Sequence, residues 1–183
     1  MDPVVRKLHI GGRIPAPEWE ILNAVPGPHV DHVGNERDLS QLDHSMFSVI
    51  YASHIAEHLD YKDELLPALV EWYRVLQYGG RLFVSVPDLD VLARLFIDKD
   101  KLTVDERFHV MRMIFGGHID EYDYHLVGLN QDFLARYLQD AGFASVEKVD
   151  EFRIFADTSS MKYKGELISL NLIATKPKPA IML

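Results

Sequence analysis

The chain is expected to fold as an α/β domain, with a mostly parallel central sheet and helices on both faces, and three observations carry that expectation. The run FSVIYAS, Phe47 to Ser53, is continuously β-branched, aromatic or small, the pattern of a strand buried on both sides. After it, ELLPALVEWYRVL places Leu65, Leu69, Trp72, Tyr73 and Leu76 at helical spacing, and RLFVSVP then supplies a second buried run. The centre of the chain is therefore a strand–helix–strand unit, which in series builds a parallel sheet. At 183 residues, 48% of them apolar, there is material for one continuous core, so a single domain over residues 1–183 is expected.

The other elements follow in order. RKLHI reads as a first strand ended by Gly11-Gly12, WEILNAV as a second ended by Pro26-Gly27-Pro28, and VDHV as a third closed by Gly34-Asn35. In the helix from Glu64 to Leu76, Pro67 falls in the first turn, where its missing N–H costs little, and Gly79-Gly80 is expected to stop the helix. A helical segment from Asp88 to Ile97, the solvated stretch DKDKLTVDER and VDERFHVMRMIF lead to the pair Gly116-Gly117. NQDFLARYLQDAGF has Asn130 as N-cap and Gly142 as stop. ASVEKVDEF and ISLNLIATKP supply two more strands, and the tail after Lys176 is expected to fray.

Composition excludes several functions. Lys and Arg number 19 against 28 Asp and Glu, a net charge of -9, so the basic patch that nucleic acid requires is not expected. The chain has no cysteine, which removes thiolate metal sites and thiol nucleophiles. Neither a signal peptide nor a run of roughly 18 apolar residues is present, and a cytoplasmic protein without membrane association is expected.

In a parallel sheet, ligands sit beyond the carboxyl ends of the strands. Those ends are Gly11 and Gly12, Asn23, Asp38 in the loop after the third strand, Ala52 to His54, and Pro87-Asp88. One stretch there, YASHIAEHLDY, spells H-x-x-E-H with His54, Glu57 and His58, a zinc-peptidase pattern. That chemistry needs the pattern on a helix, whereas here it begins directly at a strand end, so no metal ligands are assigned. A second constellation is GGHIDEYDYHLVG, which packs His118, Asp120, Glu121, Tyr122, Asp123, Tyr124 and His125 between glycines. It reads as a substrate-contacting loop, as a solvated acidic loop with tyrosines packed on the sheet, or, by a loose spacing, as a metal set of His118, Asp120, Asp123 and His125.

The segments FSVIYASHIAEHL, EWYRVLQYGGRLFVSVPDLDVLARL and FGGHIDEYDYHLVGLNQDFLARYLQDAGF, with LHIGG, ILNAVPGP and RDL before them, resemble a group of predicted S-adenosylmethionine-dependent methyltransferases, Rossmann-like and of methyltransferase type 11 character. The resemblance spans nearly the whole chain. It implies an antiparallel last strand pair and S-adenosylmethionine as cofactor, with the adenosine over the first three strand ends and the methyl group toward the loop after the fourth. Cofactor contacts are then implied for Gly11, Gly12, Asn23, Asp38, Leu39, Ala52, Ser53 and His54. Transfer to oxygen or nitrogen needs a base, and His125 paired with Asp123 or Asp120, together with His54, is the candidate set. Two positions depart from the usual pattern. Arg13 follows the glycines where the loop normally leaves open backbone, and Asn23 stands where a carboxylate is usual, so Glu36 or Glu20 is left to replace it. The implied activity is methylation of a small-molecule or saccharide-like acceptor; the alternative is a non-catalytic member of the fold that binds or regulates. With little chain left for a substrate cap, selectivity falls to residues 98–128, to the turn near Asp157 or to a partner subunit, as in a homodimer.

Overall fold

The computed structural model describes residues 5–179, so part of the tail expected to fray lies outside the described residues. Along the chain run β1 (Lys7–Ile10), β2 (Trp19–Asn23), β3 (His32–Val33), β4 (Phe47–Ser53), α1 (Leu65–Val75), β5 (Leu76–Pro87), α2 (Leu89–Ile97), α3 (Val104–Phe115), α4 (Gln131–Asp140), β6 (Ser145–Val149), β7 (Lys162–Tyr163), β8 (Glu166–Leu167) and β9 (Ser169–Thr175). Seven strands form one sheet in the order β3-β2-β1-β4-β5-β9-β6. The first five run parallel, and β9 lies antiparallel between β5 and β6. This is the mostly parallel sheet with an antiparallel last pair that the sequence predicts. Among the described residues no helix is long and apolar enough to cross a membrane.

Strand alternation sorts the sheet's side chains onto two unlike faces. Leu8, Ile10, Leu22, Ile50, Ala52, Leu82, Val84 and Leu172 share a core with Leu65, Leu69 and Trp72 of α1 and with Leu134 and Leu138 of α4. The opposite face is aromatic and is covered by a non-helical segment. His9 stacks on Phe155 at 4.4 Å, Tyr51 meets Phe155 edge-on at 4.9 Å, and Phe83 meets Phe152 at 5.4 Å. The Tyr51 hydroxyl donates to Asp157 at 2.7 Å and fastens that cover, so the turn at Asp157 is part of the packing of the sheet. α1 and α4 pack on the first face, and the second is covered by the segment through Phe152 and Phe155. The links from β1 to β2 and from β2 to β3 carry GGRIPAPE and AVPGPHV, which have no helical apolar period and are broken by proline and glycine. α2 and α3 build a separate small core of Leu92, Leu95, Leu102, Val110 and Ile168, with Tyr163 of the β7–β8 hairpin packed against it.

The junction of α1 and β5 differs from the sequence expectation. The helix ends at Val75 and the strand begins at Leu76, before the glycine pair, which lies inside β5 with Gly79 at φ +79°. Tertiary donors make this abrupt ending tolerable. The N–H groups of Ser45 and Met46 donate to the carbonyls of Arg74 and Val75, and the buried Lys176 ammonium donates to the carbonyls of Tyr73 at 2.8 Å and Leu76 at 2.7 Å. Burial lowers the Lys176 pKa, while the negative end of the helix dipole favours its charge. Lys176→Met is expected to leave these carbonyls unpaired and to lower unfolding free energy in urea by about 2–3 kcal/mol.

Candidate active site

The strand order reverses between β1 and β4, and a crevice opens beyond the carboxyl ends of the strands at such a switch point. A cleft of about 610 Å³ lies there, lined among others by Gly11, Asn23, Glu36, Ser53, His54 and His58. Gly11 makes the turn out of β1 at φ +75°, and its N–H continues the sheet by donating to Leu22 at 2.8 Å. A β-carbon there would stand 2.2 Å from Ile55 Cδ1, whose side-chain tip would have to move aside; it is the left-handed φ that favours glycine here.

The sequence-predicted cofactor residues separate into two groups. Gly11, Asn23, Ser53 and His54 line the cleft. Leu39 and Ala52 are fully buried core side chains, and Gly12 is buried with its carbonyl accepting from Asn23. Asp38 is exposed outside the lining, and its carboxylate closes a turn by accepting from the N–H of Ser40. Asn23 is itself committed to the loops. Its amide donates to the Gly12 carbonyl at 3.0 Å and accepts from the N–H of Val25 at 2.9 Å. Of the two carboxylates that could substitute, Glu20 is held by Arg6 at 2.6 Å and by His32 at 2.8 Å. Glu36 lines the cleft, and its backbone is fixed from below by the Trp72 indole, which donates to the Glu36 carbonyl at 2.8 Å.

The residues of H-x-x-E-H do not share a regular helix. His54 caps β4 in the left-handed region at φ +55°, donating its N–H to Ser85 at 2.8 Å, and only Ala56–His58 make a single 3₁₀ turn. A non-glycine residue held there costs about 1–3 kcal/mol, a strain found disproportionately at functional sites. The Ser169 hydroxyl donates to Thr158 at 2.7 Å, so it accepts from His54 Nε2 at 3.0 Å, and His54 Nδ1 faces Glu57 Oε1 at 3.2 Å. Burial raises the pKa of the Glu57 carboxyl, but the neighbouring imidazoles of His54, His58 and His125 draw it below the ordinary carboxylate range.

The pairing of His125 with Asp123 or Asp120 is not formed. The Asp123 carboxylate accepts from the N–H of Ile119 at 3.2 Å, and that of Asp120 from the N–H of Tyr122 at 2.9 Å; both hold their own loop in shape. His125 points inward instead, donating from Nδ1 to the Ile114 carbonyl at 3.2 Å and meeting the His58 ring edge-on at 5.0 Å. Its nearby carboxylate is Glu57, and burial lowers its pKa, so the ring stays neutral near pH 7. Glu36 is one of the two carboxylates offered as a replacement for Asn23, whereas Glu57 and His58 are named in the motif without being assigned to the site. Glu57 and His58 did carry a signal, in the motif that opens the loop after β4.

Comparison with solved structures places this architecture. A methyltransferase from Archaeoglobus fulgidus, described as dependent on S-adenosylmethionine, superposes with a TM-score of 0.58 at 19% identity, over 94% of this chain and 86% of that one. The fold is the Rossmann-like methyltransferase fold. An O-methyltransferase family protein from Burkholderia thailandensis matches with a TM-score of 0.56 at 14% identity, over 97% of this chain and 54% of its own. The CurJ carbon methyltransferase gives 0.54 at 16% identity, over 97% of this chain. The chain spans 63%, 50% and 47% of three larger neighbours, a Bordetella parapertussis protein, CurJ and the citrinin polyketide synthase CMeT domain. No family model and no curated protein matches the sequence.

Proposed function

We propose that the cleft binds S-adenosylmethionine and that the protein transfers its methyl group to a small-molecule acceptor, of saccharide-like character by family resemblance. The observation that carries this reading is the cleft itself, open at the switch point of a methyltransferase fold and walled by Gly11, Glu36, Ser53 and His54. In this reading Gly11 admits the cofactor close to the backbone, and Glu36 takes the ribose hydroxyls in place of a carboxylate on β2. Asn23 contributes by shaping the loops. Methyl transfer breaks the S–CH₃ bond and forms a bond from carbon to the acceptor's oxygen or nitrogen, whose proton must go to a base. His54 stands on the cleft wall with Nε2 donating to Ser169, so Nδ1, beside Glu57, is the nitrogen that would take that proton.

Calorimetric titration with S-adenosylmethionine and S-adenosylhomocysteine tests the proposal. Micromolar binding is expected. Glu36→Gln is expected to weaken it about tenfold, because charge-assisted hydrogen bonds contribute about 1 kcal/mol more than neutral ones. Absence of binding at millimolar ligand would overturn the reading. A second reading, a non-catalytic binding or regulatory protein on the same fold, is favoured by the full internal engagement of Asn23, which leaves β2 without a free polar side chain at the ribose position. Cofactor binding with no methyl transfer across an acceptor screen would select it.

A further inference from the structure

We propose that Glu57, His58 and His125 form a binding site for one first-row divalent metal ion, such as Zn²⁺, at the inner wall of the cleft. One ligand atom from each of the three lies within 4.8 Å of the others. The carboxylate is 1% exposed, and neither of its oxygens has a hydrogen-bond partner; His54 Nδ1 comes within 3.2 Å of Oε1 without forming an aligned bond. A buried charge in that condition calls for a cation.

The two imidazoles are set up to receive one. His58 Nδ1 lies 3.0 Å from the Tyr124 carbonyl and His125 Nδ1 lies 3.2 Å from that of Ile114. A carbonyl only accepts, so both Nδ1 atoms carry hydrogen, which makes Nε2 the atom each ring would offer a metal, the arrangement in which backbone carbonyls hold metal-bound histidines. The two ligand segments are also tied together, because the N–H groups of Leu126 and Val127 donate to the Glu57 carbonyl at 2.8 and 3.3 Å. Two neutral nitrogens and one carboxylate suit zinc, cobalt, iron or manganese rather than the oxygen-seeking magnesium or calcium, and three protein ligands leave a coordination position open. His58 also lines the cleft, so that position can take an oxygen of the methyl acceptor, with His54 remaining on the wall outside the ligand set. This last point rests on the methyltransferase reading; the metal site does not.

The test uses metal-stripped protein without cofactor, titrated with Zn²⁺ by calorimetry and with Co²⁺ by visible absorption. One equivalent is expected to bind with a dissociation constant of micromolar or below, with d–d bands in the cobalt form. In ¹⁵N-histidine spectra, two imidazole Nε2 signals are expected to move on adding zinc. Glu57→Gln and His125→Asn should each weaken binding at least tenfold, while His118→Asn, in the same loop, should not. The proposal is overturned if the wild type shows no saturable 1:1 uptake, if no pair of histidine signals moves, or if folded Glu57→Gln and His125→Asn proteins bind as the wild type does. In the last case Glu57 is only the buried partner of His54. S-adenosylmethionine binding is measured separately, so failure of the metal site leaves the cofactor reading standing, and the reverse also holds.

Discussion

Trp72→Ala is expected to lower the free energy of unfolding by about 3–5 kcal/mol, a large share of the roughly 5–15 kcal/mol that stabilises an ordinary domain. The indole is the largest fully buried side chain among the described residues and sits where α1 meets the sheet. Truncation removes its apolar contacts, opens a cavity that a helix tied down at both ends fills poorly, and frees the Glu36 carbonyl it holds at 2.8 Å. Urea unfolding monitored by circular dichroism measures the loss. Trp72→Phe helps separate the two contributions, because it keeps an aromatic ring in the core, at reduced volume, and removes the N–H. If Glu36 binds the ribose, Trp72→Phe should weaken S-adenosylmethionine binding by a factor larger than its stability change would suggest. If affinity stays at the wild-type value, the Glu36 loop is held by other contacts.

That link between a core residue and a cleft residue marks how far the sequence could be read. FSVIYAS, RLFVSVP and the α1 stripe are local patterns whose period fixes the type of element, and β4 spans Phe47–Ser53 as the run suggested. Asp88 and Thr103 cap α2 and α3 without having been named as caps, while the cap at Asn130 was equally legible and accepts from the Phe133 N–H. The end of α1 was not, because its stop is made by Lys176 and by the Ser45–Met46 backbone, none of them near it in sequence. The aromatic cover of the second face escaped for the same reason, since Phe152 and Phe155 declare no period and take their role from strand residues distant in sequence, such as Tyr51, His9 and Phe83. In the site, spacing put His125 beside Asp123, but a loop satisfies its own backbone first. Asp120 and Asp123 close turns, and His125 is left facing a carboxylate that the chain delivers from β4.

Acid is expected to weaken the fold well before its carboxylates titrate, and His9 is the main reason. Its ring stands on the aromatic face between Tyr51 and Phe155, and its Nδ1 is buried with no hydrogen-bond partner. Burial lowers its pKa from 6.5 to about 4, with Asp157 opposing only in part. The folded value lies below the unfolded one, so between pH 6.5 and 4 the unfolded chain takes up a proton that the native state refuses. Stability is therefore complete above that window and falls as pH is lowered through it, by about 2–3 kcal/mol at pH 4. His125, whose pKa burial also lowers, adds in the same direction. His9→Phe isolates the first contribution, because phenylalanine can stack on Phe155 and has no proton to gain. Unfolding free energies at pH 7 and pH 4 should differ by about 2–3 kcal/mol less in His9→Phe than in the wild type. Equal slopes in the two proteins would mean that water reaches the His9 ring and that the aromatic cover opens at low cost. The same segment would then be free to move beside Ser169, the residue that holds His54 at the cleft wall.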